Sequence, residues 1–121
     1  MHYNTGYQRE ALPMMLHFLK VFRDAEVICI PSASCVAMIR DHFPKMAGDT
    51  GDPAIRNQVE ELLPRAFEFS ELLVDKLRVV DVGAFYPHTV TLHASCHSLC
   101  SLHVGEQTGS IAEECSGPEF H

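Results

Sequence analysis

Seven residues, Ala25 to Pro31, read AEVICIP, and they limit the fold more than any other stretch. The run is apolar almost throughout and rich in β-branched side chains, and Pro31 brings no N–H to a ladder, so the pattern predicts a short strand covered on both faces. Strands of that kind sit in parallel sheets between helices, and both neighbours agree. Upstream, Ala11, Leu12, Met15, Leu19 and Phe22 recur at helical spacing from Tyr7 to Phe22, with Asn4 or Thr5 as cap and Pro13 near enough to the first turns to be tolerated. Downstream, SASCVAMIRDHF offers Ser32 or Ser34 as an N-cap and sets Val36, Ile39 and Phe43 on one helical face. The expected fold class is therefore α/β, a small parallel sheet with flanking helices.

Beyond this unit, PKMAGDTGD reads as a loop from its Gly, Asp and Pro content. Asp52 and Pro53 form a cap and first-turn pair for a helix through Val59, Leu62 and Leu63, which Pro64 should interrupt. A second helical piece is expected from about Phe67 to Leu77, carrying Leu72, Leu73 and Leu77, with Ser70 as its cap. After the loop DVGAFYPH, the alternation of Val90 and Leu92 with Thr91 and His93 predicts another strand. The stretch from Gly105 to His121 shows no periodicity, and an irregular C-terminal tail is expected there, following a domain over residues 1–104.

The two predicted strands share a continuation. VICIPSASCVAMI and TVTLHASCHSLCSL both run from strand into Ala-Ser-Cys and then into an apolar-periodic segment. Open α/β sheets place their ligands at the carboxyl ends of parallel strands, so Cys35 and Cys96 are expected at two equivalent sites. At a helix start, the dipole and free N–H groups favour thiolate, the form that attacks electrophiles and binds metal. The plainer alternative is that Ser caps the helix and Cys fills a small buried space. Cys29, inside the apolar strand, reads as core.

Five cysteines, Cys29, Cys35, Cys96, Cys100 and Cys115, are an odd number at irregular spacing. That argues against a secreted disulfide framework and for free thiols or metal ligands in a reducing compartment. No apolar run is long enough to span a bilayer, and the opening residues lack the pattern of a signal peptide, so a cytoplasmic protein without a membrane span is expected. A net charge of −7 repels a phosphate backbone and argues against a nucleic-acid partner. His17, His42 and His88 are isolated and read as surface or cap residues, while Asp24, Glu26, Glu60 and Glu61 read as a solvated face. No glycine-rich phosphate loop and no nucleophile elbow occur. Cys96, Cys100, His93, His97 and His103 allow a zinc site to be drawn, although their spacing matches none of the usual paired-ligand patterns.

Taken in order, YNTGYQREA, FRDAEVICIPSASCVAMIRDHFP, FEFSELLVDKL and VDVGAFYPHTVTLHASCHSL resemble the cysteine-rich (CCG) domain iron–sulfur proteins of the lactate utilisation protein A and glycolate oxidase iron–sulfur subunit type. The resemblance runs from about Met1 to Val104. Such proteins repeat a motif of one Cys, then Cys-Cys-Gly, then a further Cys, and related domains hold an iron–sulfur cluster and pass electrons. By this resemblance, Cys35 matches the late cysteine of the first repeat and Cys96 the opening cysteine of the second. In EECSGPEFH, Cys115 and Gly117 match a Cys-Cys-Gly in which Ser116 replaces the second cysteine. The early cysteines of the first repeat have no counterpart, and the 18 residues between Cys96 and Cys115 are fewer than such proteins place there. The resemblance implies the middle of such a protein, cut at both ends. Clusters commonly take four thiolates, so the implied metal ligands Cys35, Cys96 and Cys115 are an incomplete set in one chain.

Three functions follow as expectations. The first is an iron–sulfur electron-transfer subunit, or a remnant of one, with other subunits of a lactate- or glycolate-oxidising complex as partners. The second is a cluster-less α/β scaffold or interaction module, and the third a small zinc-binding protein. An uncovered edge on the strand Ala25 to Pro31 predicts dimerisation or aggregation, and a homodimer is one way to pool the thiols.

Overall fold

The computed structural model describes Gly6 and residues 8–86, 91, 93, 100, 102–103 and 105–116, without side chains at 8, 9 and 114–116. These residues form an α/β fold, mostly helical with a two-stranded parallel sheet, as the strand and its helical neighbours predict. Met1–Ile28 with Ala37–Ala66 makes one compact unit, and Cys29–Val36 with Phe67–His121 makes a second.

In the first unit, helix α1 (Gln8–Val21) turns Ala11, Met15 and Leu19 inward at the expected four-residue spacing, Met15 to 1% exposure. Helix α1 packs on two further helices, α3 (Phe43–Thr50) and α4 (Pro53–Leu62). The Phe18 ring lies 4.5 Å from that of Phe22, tilted by 42°, and meets Phe43 edge-on at 5.7 Å, the geometry that sets a ring's positive edge against a negative face. Pro13 lies inside α1 and has no N–H to give the carbonyl four residues back. The predicted caps Asn4 and Thr5 lie outside the described residues.

Strand β1 is Ile28–Ile30, and its burial alternates: Ile28 is buried, Cys29 exposed and Ile30 half-buried. The expectation of a strand covered on both faces is thus corrected. Successive side chains on a pleated strand point to opposite faces, and only one face of β1 is covered, so an unbroken apolar run here does not mean two buried faces. Val27 remains 44% exposed, and Cys29, expected in the core, is an exposed free thiol.

The chain then stays helical from Ala33 to Thr50. Helix α2 (Ala33–Ala37) passes through a wider π-helical turn at Met38–His42 into α3. Val36, Ile39 and Phe43 are buried, as their spacing predicts. The segment PKMAGDTGD, expected as a loop, is helical as far as Thr50. Pro44 stands where the π-helical turn gives way to α3, and burial of Met46 and Ala47 holds the helix in spite of its weak formers. The helix stops at Gly51, whose φ of 70° is left-handed and whose N–H bonds the Gly48 carbonyl at 3.1 Å.

Asp52 caps α4 as expected, its Oδ1 accepting the Ala54 N–H at 2.8 Å. Asp52→Ala should lower stability by about 1 kcal/mol in urea titration, because the orphan N–H loses its acceptor, while Asp52→Asn should stay close to wild type. Val59 and Leu62 are buried, and Pro64 ends the helix in a 3₁₀ turn, Leu63–Arg65. Arg65 then ties the end of α4 to the turn that follows α1. Its Nε donates to the Glu61 carbonyl at 3.0 Å, and its Nη1 to those of Arg23 at 3.1 Å and Ala25 at 2.6 Å. Arg40 Nη2 similarly donates to the Ala66 carbonyl at 2.8 Å.

Strand β2 (Ala66–Glu68) pairs with β1, and each strand keeps one edge unpaired among the described residues. The periodicity predicts a helix from about Phe67 with Ser70 as a cap, which takes in the last two residues of β2, Phe67 and Glu68. The helix instead begins after Glu68, as α5 (Phe69–Glu71), and widens into a π-helical turn at Leu72–Lys76. Glu68 is the cap. Its carboxylate accepts the Ser70 N–H at 2.8 Å and the Glu71 N–H at 3.3 Å, and Glu71 returns a carboxylate oxygen to the Glu68 N–H at 3.1 Å.

The tail expected to be irregular from Gly105 contains helix α6 (Gly105–Ser116). Local propensity does not account for it, with two glycines and several hydroxyls in the segment, but packing on α5 does. Thr108 Oγ1 lies 3.0 Å from Ser70 Oγ, and Gln107 Nε2 donates to Asp75 Oδ2 at 3.0 Å. The predicted strand at Val90 and Leu92 lies outside the described residues.

Candidate metal centre

Cys35 stands where the strand-then-helix pattern places it, in the first turn of α2 directly after β1. The Ser32 carbonyl opens that turn by accepting the N–H groups of Cys35 at 3.0 Å and Val36 at 3.1 Å, so Ser32 is the capping position. Ser32 Oγ and Ser34 Oγ share a hydrogen bond of 3.1 Å. Val36 points inward and is fully buried. Cys35 is exposed and free, and the alternative reading of this thiol as core filling does not hold.

The other expected ligands divide differently. Cys96 lies outside the described residues, as does the whole second Ala-Ser-Cys triplet. Cys115 is on the last turns of α6, with only its backbone described. Cys100 is exposed and free, and His93 and His103 are exposed. His103 adopts a left-handed φ of 56°, uncommon for a residue with a Cβ. His97 lies outside the described residues. No three Cys, His, Asp or Glu side chains among the described residues come together as a metal would need. The zinc set therefore finds no support in the described part of the chain.

Cys29 is the residue that pattern reading missed. Its position between two isoleucines signals burial, and only the strand's alternation, taken with a sheet of two strands, turns it outward. In the second unit the buried hydroxyl of Ser70 donates to the Glu68 carboxylate and meets Thr108. The signal for that cluster was present in the spacing Glu68-x-x-Glu71, a capping-box spacing with an unusual first member. The expected solvated face is solvated: Asp24, Glu26, Glu60 and Glu61 are all exposed, as is His17, while His42 is half-buried in the π-helical turn. No helix among the described residues is long and apolar enough to cross a membrane.

With this geometry in hand, similarity to known proteins adds what the described residues do not supply. Lactate utilization protein A of Bacillus thuringiensis is 36% identical to the chain over 115 residues, which is 95% of this chain and 47% of that protein. The same values hold for lactate utilization protein A of Bacillus cereus and for lactate utilization protein A 2 of Bacillus anthracis. The chain spans about half the length of the curated relatives it matches. No protein-family model matches it, and no solved structure does.

Proposed function

We propose that this homologue of lactate utilization protein A is an iron–sulfur electron-transfer subunit, or a portion of one, in a lactate- or glycolate-oxidising system. Its metal-ligating thiols in this reading are Cys35, Cys96 and Cys115. The identity across 95% of the chain carries the reading. The exposed, free Cys35 at the end of β1 supports it, because a ligand must be reachable and unpaired.

A cluster bound here supplies one-electron transfer, and substrate oxidation belongs to partner subunits. The described residues do not make up a ligand set by themselves, since one thiol of the three is described with its side chain. Clusters commonly take four thiolates, so Cys35, Cys96 and Cys115 need at least one further ligand. Among the described residues each strand keeps an unpaired edge on which a second copy can pair. Cys29, Cys35 and Cys100, free among the described residues, fit a reducing, cytoplasmic setting.

Anaerobic reconstitution with iron and sulfide, followed by desalting, tests the reading. Iron and acid-labile sulfide should remain with the chain, together with visible absorption, and both Cys35→Ser and Cys96→Ser should abolish them with the helical circular dichroism intact. Sedimentation of the loaded protein reports whether two copies share the cluster. The second reading is an α/β interaction module without a cluster. A colourless chain that retains no iron decides for that reading.

A further inference from the structure

Helix α1 has two apolar faces. One carries Ala11, Met15 and Leu19 into the core of the first unit. Along the opposite side, Pro13, Met14, His17, Phe18, Val21 and Phe22 line an open groove of about 450 Å³, with Met14 and Val21 both exposed. A surface helix of a globular protein ordinarily turns polar residues to water, and a contiguous apolar face left outside marks a contact surface. Glu10, Met14, His17 and Val21, all exposed, follow one another at intervals of four, three and four residues. That is the spacing of a seam between two paired helices.

The seam is complementary to itself when read backwards. In an antiparallel pair, the register that sets Met14 over His17 also sets Glu10 over Val21, and the exposed Lys20 of one copy then stands beside Glu10 of the other. A two-fold axis repeats both contacts, so each acidic end meets a basic one. A parallel pair in register would instead set Glu10 on Glu10 and Lys20 on Lys20, like charges together. We propose that α1 pairs antiparallel with α1 of a second copy of this chain through this groove. A helix of 14 residues is about 21 Å long, and two of that length bury less than the roughly 1,000 Å² of a lasting interface. The dimer is therefore a weak one that forms and parts. Its contact uses neither a strand edge nor a cysteine, and it stands whether or not the chain holds a cluster.

Sedimentation equilibrium of the full chain over a wide range of concentrations tests this. Wild type should fit a monomer–dimer equilibrium with a Kd on the order of 10 μM. Met14→Glu puts a carboxylate from each copy into the seam and should weaken association about a hundredfold. Its circular dichroism should match wild type, since Met14 is exposed. Glu10→Lys and Lys20→Glu should each weaken association about fivefold, and the double variant that exchanges the two charges should recover it. That recovery separates pairing through α1 from pairing along the strand edges, which neither residue touches. A chain that stays monomeric far above that Kd, a dimer indifferent to Met14→Glu, or a charge exchange that recovers nothing would each overturn the proposal.

Discussion

Leu62→Ala should bring the urea midpoint down sharply at an unchanged m-value, a loss of about 2–5 kcal/mol. Leu62 closes the end of α4 at 1% exposure, where that helix packs on α1 and α3. Truncation removes its transfer energy and leaves a void that the surrounding helices fill only in part. Domains of this size have total stabilities of about 5–15 kcal/mol, so one methyl-bearing side chain accounts for a large share. Leu77→Ala makes the control. That leucine is 56% exposed, and its truncation should stay within about 0.5 kcal/mol of wild type. Equal losses at the two positions would mean that α4 is not the buried wall the structure shows.

The second large effect lies at Glu68. Its carboxylate accepts the N–H groups of Ser70 and Glu71 and the buried hydroxyl of Ser70. Glu68→Ala strips all three donors of their acceptor at once, at an expected cost of about 1–3 kcal/mol. Because Ser70 also holds Thr108, the loss should spread to α6 and raise amide exchange across Gly105–Ser116. Glu68→Gln keeps an acceptor oxygen and should recover most of the stability and the protection. A Gln variant as damaged as the Ala variant would show that the charge, and not the acceptor, holds the turn.

Periodicity and punctuation were readable wherever one face of an element decides its burial. Ala11, Met15 and Leu19 on α1, Val36, Ile39 and Phe43 after β1, and the Asp52–Pro53 start of α4 all follow from spacing and capping chemistry. Errors arose where tertiary contact overrode local preference. Pro44, Gly48 and Asp49 look like a loop, but the same stretch carries Met46 and Ala47, and their burial outweighs weak helix formers. The glycines and hydroxyls of α6 mislead in the same way, since its support comes from Ser70 and Asp75, more than thirty residues away. Strand β2 is three residues long, too short for an alternation to register.

The site was legible to a different degree. Cys35 was placed by the turn that follows β1, a local feature that a strand, a serine and a helical stripe specify together. Cys29 was misplaced because hydrophobic neighbours report a strand's composition and not which of its faces is covered. Whether Cys35 joins Cys96 and Cys115 depends on long-range placement, which no spacing rule contains.

The three carbonyls gathered by Arg65 also bear on how the chain assembles. Its bonds to Arg23 and Ala25 close loops of 42 and 40 residues, and the entropy of such closures must be met before those contacts return anything. The joint between α1 and β1 is thus tied to the end of α4 by contacts as distant in sequence as those that dock α4 on α1. In the native protein the same knot makes that joint and the end of α4 open together, as one cooperative event rather than as two frayed ends.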